Sequence, residues 1–276
     1  MTADTYLLKS QPSELDRLQL QSRVWEPAGQ RLLNQLGSGD GARVIDVGCG
    51  ALGWLRLLSD WVGPDGEVVG TDIDDTMLNA AGQFVASEGL NNVTLVRDDL
   101  FASQLEPSTF DLVHARFLLG PLGRVDKQLD AYLRLVRPGA TIVSEELDYL
   151  SWHFVPTAPS IGIDVDAPLD RQLLFLIREA FRRAGGEPET FAAQLAAFRK
   201  AGIKPEVRAE IQALPPGHPY ASLPLQFATA LGGMIRTFID PEEFEAIIER
   251  ARDELADPDR WGFTFTLTQC WGRRQS

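Results

Sequence analysis

Asp46-Val-Gly48-Cys-Gly50-Ala-Leu-Gly53 sets one carboxylate and three glycines between an apolar run, Arg43–Val47, and a helical stretch, Trp54–Trp61. Glycines at such a junction let the backbone turn sharply and approach a ligand. The spacing fits the letters of a dinucleotide-binding loop, and a plain strand-to-helix turn can carry the same letters. Asp46 bears on the choice. A carboxylate two residues before the first glycine is unfavourable beside a pyrophosphate, whereas a cationic ligand tolerates it. Asp72 ends the next apolar run, 72 − 50 = 22 residues past Gly50, where a carboxylate can accept both hydroxyls of a ribose. Asp98 and Asp99 end the third run, where a carboxylate can meet the exocyclic amine of an adenine. The pattern suits a ligand that contains adenosine.

These residues need a scaffold that brings the ends of several strands together. Five apolar runs read as strands: Arg43–Val47, Glu67–Asp72, Asn91–Arg97, Phe110–Ala115 and Ala140–Glu145. Between them lie helical stretches at Trp54–Trp61, Thr76–Glu88 (capped by Asp74 or Asp75) and Val125–Val136, the last closed by Pro138-Gly139. Strands alternating with helices predict an α/β fold with parallel strands and helices on both faces. Ligands then sit at the carboxyl ends of the strands, near the switch in strand order. Upstream, Leu15, Leu18, Val24, Trp25, Leu32, Leu33 and Leu36 give a helical stripe over 13–36. Pro27 and Gly29 are expected to break it in two. Downstream, helices are expected over 170–184, 189–201, 220–238 and 241–256, and strands over 206–213 and 261–271. The organisation is an N-terminal helical cap (1–40), a ligand-binding core (41–150), and a segment (151–276) that supplies a substrate lobe and the last strands of the sheet.

The formal net charge of −13 argues against a nucleic-acid partner, which needs clustered Lys and Arg to neutralise phosphates. Arg182–Arg183, Arg199–Lys200 and Arg273–Arg274 are too short to supply such a surface. A neutral or cationic small molecule fits the charge better. No stretch is long and apolar enough for a membrane span, and the N-terminus has neither the basic nor the apolar region of a secretion signal. Cys49 and Cys270 are the only cysteines, and with three histidines they make no metal-ligand pattern. The expectation is a cytoplasmic protein without a metal.

Taken in order, five segments resemble the class I S-adenosylmethionine-dependent methyltransferases. They are Val44-Ile-Asp-Val-Gly-Cys-Gly50, Val62-Gly-Pro-Asp-Gly-Glu-Val-Val-Gly-Thr-Asp72, Arg97-Asp-Asp-Leu100, Phe110-Asp-Leu-Val-His-Ala-Arg116 and Leu133-Arg-Leu-Val-Arg-Pro-Gly139. The resemblance covers roughly residues 40–150. It implies a Rossmann-like, mostly parallel seven-stranded sheet with helical additions that cap the substrate, and S-adenosyl-L-methionine as cofactor. It also implies roles. Gly48, Cys49 and Gly50 would line the methionine and ribose parts, and Asp46 would orient that loop or the ammonium group. Asp72, with Ile73 beside it, would hold the ribose. Asp98 would meet the adenine amine, with Asp99 and Leu100 along the ring. Ala115 would offer its carbonyl near the ammonium, with Arg116 beside it. The front end is similar to a bacterial subgroup acting on small metabolites, in which a tyrosine and a glutamine close over the cofactor; Tyr6 and Gln21 match. One departure stands out. The family often has a third glycine at the position of Leu52, and here Gly53 follows instead, which implies a locally reshaped loop.

Methyl transfer is an in-line displacement, so positioning of the nucleophile does much of the work. A base is needed only where the nucleophile carries a proton that must leave. His114, Glu146 beside Glu145, and His153 are the acid–base candidates, each at or beyond a strand end. Trp152, Phe154, Phe175, Phe227, Leu231, Met234 and Phe238 are expected to pack the lobe that receives a small, hydrophobic methyl acceptor. Pro215-Pro216-Gly217 and the helices after it suit a lid or a homodimer contact. Three other readings stay open: a nicotinamide-dependent oxidoreductase using the same glycine loop, a non-catalytic S-adenosylmethionine-binding protein, and methylation of RNA or protein, which would need an extended docking surface.

Overall fold

Arg43–Val47 carries Val44, Ile45 and Val47 because the strand it forms, β1, is buried on both faces. In the computed structural model, which describes residues 14–148 and 169–275, it lies at the centre of a seven-stranded sheet. In chain order the first half comprises α1 (Glu14–Leu36), β1, α2 (Leu55–Val62), β2 (Glu67–Asp72), α3 (Asp75–Glu88), β3 (Val93–Arg97), β4 (Phe110–Arg116), α4 (Leu119–Leu122), α5 (Val125–Leu135) and β5 (Val136–Asp148). The second half comprises α6 (Leu169–Arg183), α7 (Thr190–Lys200), β6 (Glu206–Glu210), β7 (Ala213–Leu214), α8 (Leu223–Ala230), α9 (Gly232–Ile235), α10 (Pro241–Leu255), β8 (Gly262–Phe263) and β9 (Thr266–Arg273).

The strand order is β3-β2-β1-β4-β5-β9-β6. β1 to β5 pair in parallel, and β9 runs antiparallel between β5 and β6. Order reverses between β1 and β4, so a crevice opens at their carboxyl ends, where parallel α/β sheets receive ligands. One apolar cluster, including Leu32, Leu33, Trp54 and Leu58, packs α1 and α2 on the sheet. A second, including Leu129, Tyr132 and Phe198, packs α5 and α7. A third joins Trp25 and Ala28 of α1 to α6, α8 and α10 through Phe181, Phe227 and Phe244.

Four sequence expectations are corrected. α1 runs unbroken through Pro27 and Gly29. Proline lacks an N–H and costs a helical bond, but Trp25, Ala28, Leu32 and Leu33 are fully buried on this face, and Glu26 pairs with Arg56 of α2. Gly29 lies on the same contact, because a β-carbon there would come within 2.8 Å of Leu57 and 3.0 Å of Trp54. Pro138-Gly139 does not close a helix. It sits inside β5, where the register with β4 shifts between Phe110 and Leu112 and leaves exposed residues 137–139 out of the ladder. The stretch 220–238 forms short α8 and α9 instead of one helix, with Gly232-Gly233 following the first break. The expected strands over 206–213 and 261–271 are each divided, and their inner ends, β7 and β8, pair in a small separate sheet.

Candidate functional site

The glycine loop leaves β1 with Gly48, Gly50 and Gly53 all at positive φ (62°, 55° and 46°). Its two ends are held from below. The Cys49 N–H donates to the Thr71 carbonyl at 2.8 Å, and the Trp54 N–H donates to Asp46 Oδ2 at 2.7 Å. The upper surface differs: a β-carbon on Gly50 would meet nothing within 4 Å among the described residues. The loop thus presents bare backbone to open space, as close approach of a ligand requires.

Asp72 stands beside this opening. Its Oδ2 accepts from the Gly50 N–H at 3.0 Å and its Oδ1 from the Asp74 N–H at 2.9 Å. Burial pushes its carboxyl up, and the amides of Asp74, Gly50 and Ile73 work against that shift. Asp98 adjoins it, donating its N–H to the Asp72 carbonyl at 3.0 Å, while its own carboxylate accepts from the Gln104 N–H at 3.1 Å. The Asp99 side chain accepts from the Phe101 N–H at 2.9 Å and so caps the short 3-10 turn Leu100–Ala102. Ile73 and Leu100 are half-buried.

Across the crevice, Arg116 ends β4. Its Nη2 donates to Ser22 Oγ of α1 and to the Gly53 carbonyl, both at 3.3 Å, and its Nη1 is buried without a hydrogen-bond partner among the described residues. Ser22 Oγ also donates to the Gly53 carbonyl at 3.3 Å. Phe117, the next residue, holds φ 59°. A phenylalanine there is strained, and such strain gathers at functional sites. Next to Ser22 in the chain, Gln21 is 5% exposed and accepts from Arg17 Nη1 at 2.7 Å. Arg17 lies over the Phe227 ring, 5.2 Å from its centre. Nearby, the Trp25 indole donates to the Tyr220 hydroxyl at 2.8 Å. α1 therefore covers the same end of the crevice that the glycine loop opens.

The other expected site residues have buried side chains or lie outside the described residues. Asp46 is 1% exposed and lies beneath the loop, so it orients the loop and does not face the crevice. Cys49 points down between strands into the core, and burial pushes its thiol well up. Ala115 is buried within β4. His114 is fully buried. Its Nδ1 is 2.7 Å from Asp46 Oδ1 and its Nε2 3.3 Å from Glu145 Oε2, with the Trp54 indole stacked on the ring at 3.8 Å. Both ring nitrogens are engaged, so His114 is not placed as a base for an acceptor. Glu146 is also unavailable: its Oε1 accepts from the Leu119 N–H at 2.6 Å and its Oε2 from the Gly120 N–H at 3.4 Å, deep under the β4–α4 turn. Burial there pushes its carboxyl up to about 8, against the lowering effect of those amides. Tyr6 and His153 lie outside the described residues. In the lobe, Phe227 and Leu231 are core, Met234 and Phe238 pack partly buried against it, and Phe175 is 62% exposed.

Sequence reading missed Ser22, Arg17 and Trp54. Arg17 and Gln21 stand four apart on one helix face, a spacing that pairs side chains, and that was the available signal. Nothing local marks Ser22, whose partners Gly53 and Arg116 are 31 and 94 residues away.

Fold and loop together define the class of architecture: a Rossmann-like, mostly parallel seven-stranded sheet with a glycine loop at the carboxyl end of β1. Residues 44–139 match the family model described as a methyltransferase domain. Among particular proteins, the demethylmenaquinone methyltransferase of Staphylococcus aureus is 33% identical over 126 residues, 46% of this chain and 50% of the relative. The chain thus spans about half the length of the curated relatives it matches. Two solved structures share the fold. A SAM-dependent methyltransferase from Aquifex aeolicus superposes with a TM-score of 0.52 at 23% identity, covering 73% of this chain and 92% of its own. The YcgJ protein from Bacillus subtilis gives 0.58 at 14% identity, covering 90% and 99%. No helix among the described residues is long and apolar enough to cross a membrane.

Proposed function

We propose that this protein transfers the methyl group of S-adenosylmethionine to a small, hydrophobic acceptor. The observation that carries the reading is the pairing of a bare glycine loop, open above Gly50, with the Asp72 carboxylate fixed on the Gly50 amide. The residues fit the cofactor's chemistry. Asp72 would accept the ribose hydroxyls and Asp98 the adenine amine. Gly48 and Gly50 would lie against the methionine and ribose parts, and the Ala115 carbonyl would receive the ammonium. The unpartnered Arg116 Nη1 would take the carboxylate, which answers an otherwise costly buried donor. The bound cofactor supplies an electrophilic methyl carbon on a sulfonium.

The chain's own contribution is then to hold the acceptor in line and keep water out. Helix α1 and the lobe formed by α6, α8 and α10 supply apolar walls, with Tyr220 and Trp25 joined near the crevice. The name of the Staphylococcus aureus relative supports a small-molecule acceptor. With His114 and Glu146 both engaged, His153 is the acid–base candidate that stays in this reading. A homodimer and a cytoplasmic location belong to it as well.

The test is calorimetric titration of the purified protein with S-adenosylmethionine, S-adenosylhomocysteine and NAD. Binding of the first two in the micromolar range, without NAD, is expected, and methyl transfer to an apolar acceptor pool should follow. Binding of NAD alone would replace this reading with hydride-transfer chemistry.

A further inference from the structure

We propose that His114 is a positioning residue: held as an imidazolium between Asp46 and Glu145, it fixes the glycine loop, and cofactor affinity falls when that proton leaves at alkaline pH. The proposal rests on the reading that this loop receives the cofactor.

The geometry favours a charged ring. Each ring nitrogen faces a carboxylate oxygen, Nδ1 toward Asp46 and Nε2 toward Glu145. A neutral imidazole has one N–H and one lone pair, so one nitrogen would point a lone pair at an acceptor. The second oxygens of both acids are already accepting. Asp46 Oδ2 receives the Trp54 N–H, and Glu145 Oε1 receives Gln269 Nε2 at 2.6 Å. Two N–H groups on the ring give each acid a donor for its remaining oxygen. Among the described residues, the charged groups facing the ring are Asp46 from β1 and Glu145 from β5. Trp54, at the start of α2, covers one face at an interplanar angle of 14°, a stack that favours a cation. Gln269 of β9 stands behind Glu145. Burial is the largest influence on the ring and favours the neutral form, but Asp46 and Glu145 together outweigh it and raise the proton affinity.

The link to the loop is one residue long. The carboxylate that grips His114 is the one that anchors the Trp54 amide, where the glycine loop becomes α2. Without the ring proton, Asp46 and Glu145 are two buried anions with no cation between them, which is strongly unfavourable. Asp46 must shift or take up a proton, and the loop's anchor goes with it. The sign follows from a raised value: the contribution is complete below the ordinary histidine range and is lost as pH rises through the folded-state value.

The experiment uses full-length protein with ¹⁵N- and ¹³C-labelled histidine and backbone, titrated from pH 6 to 10, alongside calorimetry with S-adenosylhomocysteine over the same range. The expected result is a His114 ring whose midpoint lies above the ordinary histidine range and is shared by the Trp54 amide resonance. S-adenosylhomocysteine affinity should fall by up to about tenfold per pH unit beyond that midpoint. In His114→Gln the affinity should be lower at pH 7 and lose this pH dependence, and Glu145→Gln should move the midpoint to lower pH. A ring midpoint at or below the ordinary histidine range, or an affinity profile unchanged in His114→Gln, overturns the proposal and leaves the cofactor reading intact. If His114→Gln does not fold, the wild-type comparison of ring, Trp54 amide and affinity decides alone. Absence of S-adenosylhomocysteine binding at every pH overturns the cofactor reading, and the proposal with it.

Discussion

Gly53 lies against Asp46 so closely that a β-carbon on it would stand 2.1 Å from Asp46 Oδ2, and its φ is 46°. The glycine after Leu52 thus makes room for a buried carboxylate of its own chain, and the free space for a ligand lies over Gly50. Gly53→Ala combines a left-handed backbone, costing about 1–2 kcal/mol, with a contact that must displace Asp46. The expected outcome is a lower denaturation midpoint and at least about tenfold weaker S-adenosylhomocysteine binding, equivalent to about 1.4 kcal/mol. Gly50→Ala meets open space, so it should lose affinity with less loss of stability. Equal stability losses in the two variants would show that the loop is not divided in this way.

Asp72 joins two backbone amides, and in the proposed complex two hydroxyls as well. Asp72→Asn keeps one acceptor oxygen and removes the charge, and Asp72→Ala removes both. Hydrogen bonds to charged groups contribute about 1.5–3 kcal/mol. Calorimetry should therefore show Asp72→Ala weakening S-adenosylmethionine binding by roughly 10- to 100-fold, with Asp72→Asn in between. Unchanged affinity in Asp72→Ala would remove this carboxylate from the site.

Much of the core was readable because its signals are local. The order of short apolar strands and amphipathic helices, with Asp46, Asp72 and Asp98 at strand ends, comes straight from periodicity and spacing. What was unreadable is set by tertiary contact. Pro27 forecasts a helix break, yet the burial of Trp25, Ala28, Leu32 and Leu33 carries α1 through it. His114 and Glu146 stand at strand ends, as catalytic groups do, but their use was decided by neighbours from other strands and turns: Asp46 and Glu145 for one, Leu119 and Gly120 for the other. A strand alternates its side chains between faces, and no local pattern says which buried polar group will find its partner inside.

Glu146 should leave a mark on stability as a function of pH. Its folded-state value is pushed up to about 8 from an ordinary 4.5. Between those values the folded chain holds a proton that the unfolded chain has released, so this group lowers stability as pH rises through that window. Glu146→Gln fixes the neutral form and can still accept from the Leu119 N–H. Its melting temperature should match the wild type near pH 5 and exceed it near pH 8. Identical pH profiles would show that Glu146 is ionised throughout, with its charge carried by the turn amides.

Arg116 offers the sharpest dissection of the cofactor's orientation. Its Nη2 is shared between Ser22 and Gly53, and its Nη1 is buried with no partner among the described residues. If that Nη1 receives the carboxylate of the methionine end, removing the guanidinium should weaken only ligands that possess this end. S-adenosylhomocysteine carries it and 5′-methylthioadenosine does not. Arg116→Ala should bind S-adenosylhomocysteine at least about tenfold more weakly, while 5′-methylthioadenosine keeps its wild-type affinity, the difference corresponding to about 1.4 kcal/mol. Arg116→Lys retains charge without the planar fork and should recover part of the loss. Equal losses for both ligands would mean that Arg116 acts by holding α1 and the glycine loop together through Ser22 and Gly53.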